Sequence, residues 1–116
     1  MSLKFLVFLG SSREGRMGEN VAKCVVKKLK ALSHQAEMIG SFAGVRAAAL
    51  ARPFLSELGM ISVPQGCSIS EVRNKFTDDG ECVDERTDKR LTKLVYELVW
   101  YGSAIASKKE KDGLPE

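Results

Sequence analysis

The residues best suited to chemistry are hydroxyl and guanidinium side chains close to the start of the chain. Ser11, Arg13 and Arg16 lie in a glycine-bearing segment, 10–18, that follows an apolar run. Hydroxyl and guanidinium groups bind phosphate oxygens, and the N-terminus of a following helix would add unpaired N–H groups and partial positive charge. The pattern indicates a site for a phosphate monoester, and an ordinary polar surface loop is the alternative that these residue types leave open.

Two common nucleotide-binding loops are excluded by the spacing. Gly10 and Gly15 have the glycine spacing of a P-loop, but Arg16 and Met17 stand where that loop requires Lys and Ser or Thr. The dinucleotide fingerprint Gly-x-Gly-x-x-Gly is also absent, because Ser12 stands where its second glycine should be.

Alternating strand and helix patterns supply the elements that position this loop. An unbroken apolar run is typical of a strand that is covered on both faces, and apolar residues three and four apart are typical of a helix. The expected strands are 4–9, 35–39 and 60–63, and the expected helices are 18–32, 45–58 and 84 to about 107.

The segment 65–83 is expected to be a loop with two local features. Asp78, Asp79 and Gly80 predict a turn, and the four-residue spacing of Val72 and Phe76 predicts a single helical turn. The last residues, 108–116, are expected to form a disordered charged tail beyond a single domain of residues 1–107.

The order of these elements predicts an α/β fold with a parallel sheet and flanking helices. In such sheets ligands bind at the carboxyl ends of the strands. Two polar loops, 10–18 and 40–44, each follow a predicted strand. Both loops are therefore expected at the same edge of the sheet, where they would share one site.

Composition favours a small cytoplasmic globular protein. The chain has 116 residues, 44% of them hydrophobic, and a net charge of +3 from interleaved acids and bases. Cys24, Cys67 and Cys82 are odd in number and widely spaced, which argues against a disulfide framework or a zinc site. Neither nucleic acid nor a membrane is expected as a partner, because no aromatic-plus-basic platform and no long apolar segment is present.

Four other side chains are assigned structural roles. His34 follows the first predicted helix, where a cation would suit the helix dipole. Cys24 lies beside the buried face of that helix and is expected to act as a small hydrophobe. Trp100 and Tyr101 are interpreted as packing and surface residues rather than as a stacking platform.

Four segments together resemble the NADPH-dependent FMN reductase family, which has a flavodoxin-like fold. Residues 5–16 (FLVFLGSSREGR) are similar to its first strand and phosphate loop. Residues 41–48 (SFAGVRAA) and 52–60 (RPFLSELGM) are similar to its later glycine-rich loop and the helix and strand that follow, and residues 84–101 resemble its last helix. The resemblance covers almost the whole chain in order.

Membership of that family would imply a non-covalently bound flavin mononucleotide (FMN) that takes a hydride from NADPH and passes electrons to a small acceptor. No catalytic side chain or metal is expected, because the cofactor carries the electron chemistry. By the resemblance, Ser11, Arg13 and Arg16 would bind the FMN phosphate, helped by backbone N–H groups around Met17, Gly18 and Glu19. Ser41, Ala43 and Gly44 would approach the flavin or the nicotinamide.

The chain departs from the family in its middle section. Glu37-Met38-Ile39 runs directly into Gly40-Ser41, without the two central strands and the loop that cradles the flavin ring, and Ala43 stands where the family usually has glycine. The sheet is therefore expected to shrink to about three strands, with 60–63 beside 4–9, and the flavin ring to be bound weakly or not at all.

Two alternative functions follow from this departure. The chain could be a non-catalytic family member that binds phosphorylated ligands or dimerises, either with itself or with a full-length relative. It could also be a small α/β interaction module unrelated to flavins.

Overall fold

Two parallel strands, with a helix between them in the sequence, form the first half of the structure. The computed structural model describes residues 2–8, 18–39, 56–57, 60–63, 69 and 71–115. Its elements in chain order are strand β1 (Lys4–Phe8), helix α1 (Gly18–Ala31), strand β2 (Gln35–Ile39), helix α2 (Val72–Lys75) and helix α3 (Glu85–Asp112). These residues confirm a mixed α/β chain with a small parallel sheet.

The sheet pairs β1 with β2 in parallel, from Lys4 opposite Gln35 to Phe8 opposite Ile39. Inward residues such as Val7 and Met38 are half-buried, and α1 contacts both strands. The opposite face carries Lys4, Leu6, Gln35 and Glu37, all exposed. The prediction that the first strand is covered on both faces is therefore wrong for the described residues: β2 alternates polar and apolar residues, so it offers only one face for burial.

The predicted third strand is also wrong. Residues 60–63 form no strand, and the sheet of the described residues contains β1 and β2 alone. Met60 and Ile61 are 55% and 77% exposed, so these two side chains are not buried against the sheet. The predicted helix 45–58 lies outside the described residues apart from 56–57, which are helical.

Helix α1 is buried on two sides. Ala22, Cys24 and Leu29 are its buried residues, and Leu29 has no exposed surface. One side covers the sheet and the other contacts α3. The helix ends with Ser33 in the left-handed region (φ 65°) and with the His34 N–H donating to the Leu29 carbonyl, which is the Schellman arrangement that closes a helix C-terminus.

His34 connects the end of α1 to the start of β1. Its Nδ1 accepts a hydrogen bond of 3.0 Å from the Leu3 N–H, and its ring meets Phe5 edge-on with centroids 5.6 Å apart. The ring therefore links the end of α1 to the start of β1.

A short hairpin, residues 75–83, packs against α1. The hairpin follows α2, and this short helix confirms the single helical turn predicted at Val72. An antiparallel bridge joins Phe76 to Cys82, which the sequence did not indicate. The predicted turn is confirmed, since the Gly80 N–H donates to the Thr77 carbonyl at 3.0 Å. Phe76 joins Cys24 and Leu91 in the hydrophobic core, so the hairpin, α1 and α3 meet there.

Helix α3 begins at a side-chain cap. Asp84 Oδ2 accepts hydrogen bonds from the Thr87 N–H (3.0 Å) and from the Thr87 hydroxyl (2.6 Å). These bonds satisfy an otherwise unpaired helical N–H, as expected for Asp at an N-cap. Thr87, Leu91 and Val95 are the buried residues of the helix.

The end of α3 differs from the prediction. The helix passes Ser107 and ends at Asp112, so 108–112 of the expected disordered tail are helical. An ion pair between Lys108 and Asp112, one helical turn apart, supports this extension. Gly113 (φ 74°) then ends the helix, and its N–H donates to the Lys109 carbonyl.

The Lys28 side chain links α1 to α3. Its Nζ donates to Asp88 Oδ1 at 2.5 Å and to Thr92 Oγ1 at 2.9 Å, and its side chain is 20% exposed. Lys28 therefore lies on the side of α1 that α3 covers. A lysine tolerates this position because its ammonium group has an anionic and a hydroxyl partner there.

We expect Gly80→Ala to destabilise the protein strongly. Gly80 has φ +85°, and an added Cβ would lie 2.4 Å from Lys23 Cβ and 3.0 Å from the Cys24 backbone nitrogen. Strain and overpacking together should lower the free energy of unfolding by about 3 kcal/mol in urea titrations.

Gly113→Ala is the matched control, since Gly113 has a similar φ and an added Cβ there meets nothing within 4 Å. Its cost should be smaller, about 1–2 kcal/mol, because only backbone strain applies there. An equal loss in both variants would contradict the close approach of the hairpin to α1.

We expect Asp84 to make the stability of α3 depend on acid pH. The two hydrogen bonds from Thr87 hold the pKa of the Asp84 carboxyl below its ordinary value. The ionised cap therefore stabilises the folded state above the unfolded pKa of about 3.9, and this contribution is lost as pH falls through the lower folded value. In Asp84→Asn and Asp84→Ser, which cap without titrating, the free energy of unfolding should fall less steeply with acid. A slope equal to that of the wild type would refute this role.

Candidate functional site

The carboxyl edge of the sheet is the candidate site. Phe8 and Ile39 are register partners at the ends of β1 and β2. Because the strands are parallel, their carboxyl ends lie at the same edge of the sheet. The predicted polar loops 10–18 and 40–44 lie outside the described residues apart from Gly18.

Two of the predicted site residues lie in the described structure. Gly18 and Glu19 are the first two residues of α1. The remaining predicted ligands lie outside the described residues: Ser11, Arg13, Arg16, Met17, Ser41, Ala43 and Gly44. The structure therefore positions the helix start and the ends of both strands, which are the three fixed points that bound the predicted loops.

The start of α1 is open with respect to the described residues. Gly18 is exposed, and a Cβ built on it would meet no described residue within 4 Å. The N–H groups of the first helical turn have no partner within the helix, and the helix dipole places partial positive charge there. The carboxylate of Glu19 stands in the same turn, where it favours the helix but competes with an added anion. An anion at the helix start would therefore need cationic side chains to offset Glu19.

An open groove of about 780 Å³ lies between α1, β2 and the hairpin. Three of its lysines, Lys23, Lys27 and Lys30, come from one face of α1. Lys23 Nζ donates to the Asp78 carbonyl at 3.0 Å, and Lys27 Nζ lies 4.0 Å from Glu81 Oε1. Lys23 and Lys27 therefore link α1 to the hairpin. Sequence analysis missed this groove because its lining comes from three separate segments.

The described thiols favour packing rather than covalent chemistry. Cys24 is 5% exposed, and burial is the main cause that raises the pKa of its thiol. Cys82 packs at the margin of the same core, and its Sγ lies 3.4 Å from the Asp84 carbonyl oxygen. Cys67 lies outside the described residues. In the part of the chain that the structure describes, no group of three His, Cys, Asp or Glu residues is arranged to hold a metal ion.

Comparisons with known proteins do not identify the chain. No protein-family model, curated protein or solved structure gives a significant match. The resemblance to the FMN reductase family therefore stays a prediction from the residues. Among the helices within the described ranges, none is both long and apolar enough to cross a membrane.

We expect Cys24 to be protected from thiol reagents in the folded protein. Its raised pKa lowers the thiolate fraction at neutral pH, and its burial blocks access. With Ellman's reagent, a variant that keeps only Cys24 (Cys67→Ala with Cys82→Ala) should react at least about tenfold more slowly than one that keeps only Cys82. In urea the two rates should converge. Equal rates under native conditions would mean that Cys24 is not buried.

Proposed function

We propose that this protein is a flavin mononucleotide-binding oxidoreductase of the NADPH-dependent FMN reductase type, with a flavodoxin-like arrangement around its cofactor. The observation that carries the proposal is the common edge formed by the ends of β1 and β2. The bound flavin would supply hydride and electron transfer from a nicotinamide nucleotide to a small acceptor. The chain's own residues would bind and orient the two nucleotides.

The phosphate would bind at the loop between β1 and α1. Arg13, Arg16 and the Ser11 hydroxyl supply charge and hydrogen bonds, and the backbone N–H groups of Met17, Gly18 and Glu19 complete the set. The two arginines match the charge of a phosphate dianion, and the partial positive charge of the helix start offsets part of the Glu19 charge. The open space at Gly18 supports this assignment, since backbone N–H groups contact an anion only where no side chain intervenes.

The ring system would lie on the second loop. This loop leaves β2 at Ile39, beside the end of β1, so Ser41, Ala43 and Gly44 start from the edge where the phosphate loop also starts. Small residues allow the backbone to approach a flat ring. Ala43 adds a methyl group at this approach, which favours a weaker hold on the ring than on the phosphate.

A second candidate function is supported by the sheet itself. Residues 60–63 do not extend it, and its outer face leaves Leu6 half exposed. A two-stranded sheet of this kind favours a chain that binds a phosphorylated ligand without catalysis. Such a chain would work as a homodimer or as a heterodimer with a full-length relative.

The proposal is tested by comparing two ligands that differ by one phosphate. FMN and riboflavin share the ring and the ribityl chain, so quenching of their fluorescence on titration with protein separates phosphate binding from ring binding. We expect FMN to bind at least about tenfold more tightly than riboflavin, because charge-assisted bonds to the phosphate dominate. Arg13→Ala should remove this difference. Arg73→Ala, an exposed arginine on α2, is the matched control and should leave it unchanged.

Activity then distinguishes the two candidates. Oxidation of NADPH in the presence of FMN and a quinone, lost in Arg13→Ala, would support the oxidoreductase. Selective FMN binding without NADPH oxidation would support the non-catalytic module. Equal affinity for FMN and riboflavin, or no affinity for either, would reject both candidates.

A further inference from the structure

The outer face of α3 carries a line of basic and aromatic side chains. We call this line the basic–aromatic stripe. All of its members are exposed, and they are Lys89, Lys93, Tyr96, Trp100, Ser107 and Lys111. Their spacings of three, four and seven residues keep them on one side of the helix, within about 40° of Trp100 around its axis.

The packing of α3 does not account for the aromatic residues of the stripe. Trp100 lies about 180° around the axis from the buried Leu91. Tyr96 and Trp100 are 56% and 66% exposed. A tryptophan directed away from the core contributes little to folding, and large exposed aromatic side chains are typical of contact surfaces.

The Trp100 ring is held in its outward position by its neighbour. The rings of Trp100 and Tyr101 meet edge-on, with centroids 4.9 Å apart and planes at 85°. Tyr101 is itself half-buried at the side of the helix. The exposed indole is therefore supported from one side, and its other face stays open.

Charge along α3 is divided between the stripe and its flanks. The acidic residues of the helix lie at least about 60° away from Trp100, and they are Glu85, Asp88, Glu97, Glu110 and Asp112. Lys89 is offset by Glu85 at 3.4 Å. Along the helix, Lys93 precedes Tyr96 and Trp100, and Lys111 follows them. Positive charge therefore lies on both sides of these two aromatic side chains.

We propose that the basic–aromatic stripe docks α3 flat against an anionic phospholipid bilayer. The stripe is a straight line about 33 Å long from Lys89 to Lys111, which fits a plane. Tyrosine and tryptophan rings lie at the headgroup level of bilayers, and lysines contact anionic headgroups through long apolar stems. A bilayer is favoured over nucleic acid because α3 has no Asn or Gln, and because the exposed face around Trp100 adds a single arginine, Arg86, that could contact bases. The docking that we propose is peripheral.

The chain contains its own probe for this contact, because Trp100 is its single tryptophan. The emission of the full-length protein is recorded with vesicles of phosphatidylcholine, with and without phosphatidylserine, and binding is measured by co-sedimentation. We expect a blue shift and sedimentation with phosphatidylserine vesicles only, both weakened by added salt. Trp100→Ala should reduce sedimentation with these vesicles.

Matched charge variants separate the stripe from net charge. Lys93→Gln with Lys111→Gln should weaken partitioning about tenfold or more. Lys4→Gln with Lys30→Gln removes the same charge from exposed positions on β1 and α1, and it should leave partitioning near the wild-type value. Circular dichroism checks that each variant keeps its helix content.

Three results would overturn the proposal. The first is a wild-type protein that does not respond to phosphatidylserine vesicles, or that responds equally to pure phosphatidylcholine. The second is a control pair that weakens partitioning as much as the stripe pair. The third is a blue shift with a DNA or RNA oligonucleotide and none with vesicles, which would assign the stripe to nucleic acid.

Discussion

Burial of α1 on two sides is the constraint on which the described structure depends. A parallel pair of strands is not stable alone, and α1 covers the inner face of β1 and β2. Its other side meets Phe76 and Leu91 through Cys24, so one helix joins the sheet to the hairpin and α3. This arrangement explains why the backbone of Gly80 approaches α1 closely and why Lys28 is fixed between two helices. A larger side chain at Gly80 would separate the two halves of the core.

The parts of the fold that were predictable from the sequence are those set by local pattern. The first strand, the first helix and the second strand end within one residue of their predicted bounds, because a βαβ unit is encoded by neighbouring segments. The start of α3 follows from the cap at Asp84, which is also local. The prediction of a strand at 60–63 was wrong because an apolar run does not show whether a neighbouring strand is present. The hairpin bridge and the inward position of Lys28 arise from contacts between distant segments, which no pattern along the chain reports.

The candidate site was predictable in its chemistry and only partly in its geometry. Hydroxyl and guanidinium groups before a helix indicate an anion, and the register of Phe8 with Ile39 places the ends of β1 and β2 at one edge of the sheet. The positions of Arg13 and Arg16 lie outside the described residues. The stripe on α3 was not predicted, for a different reason. From the sequence, Trp100 was interpreted as a packing or surface residue, with no distinction between the two. The direction of a side chain around a helix becomes informative only when the buried face is known.

The uneven burial of α3 divides the helix into two parts that should open independently. Its buried residues, Thr87, Leu91 and Val95, all lie in the first half of Glu85–Asp112. Backbone amides around them can exchange with solvent deuterium only when the core itself opens, whereas amides near Lys109 need only local fraying. Amide exchange along this one helix should therefore speed up by orders of magnitude from its middle to its end. A single helix would then report both the global and the local opening free energies of the molecule.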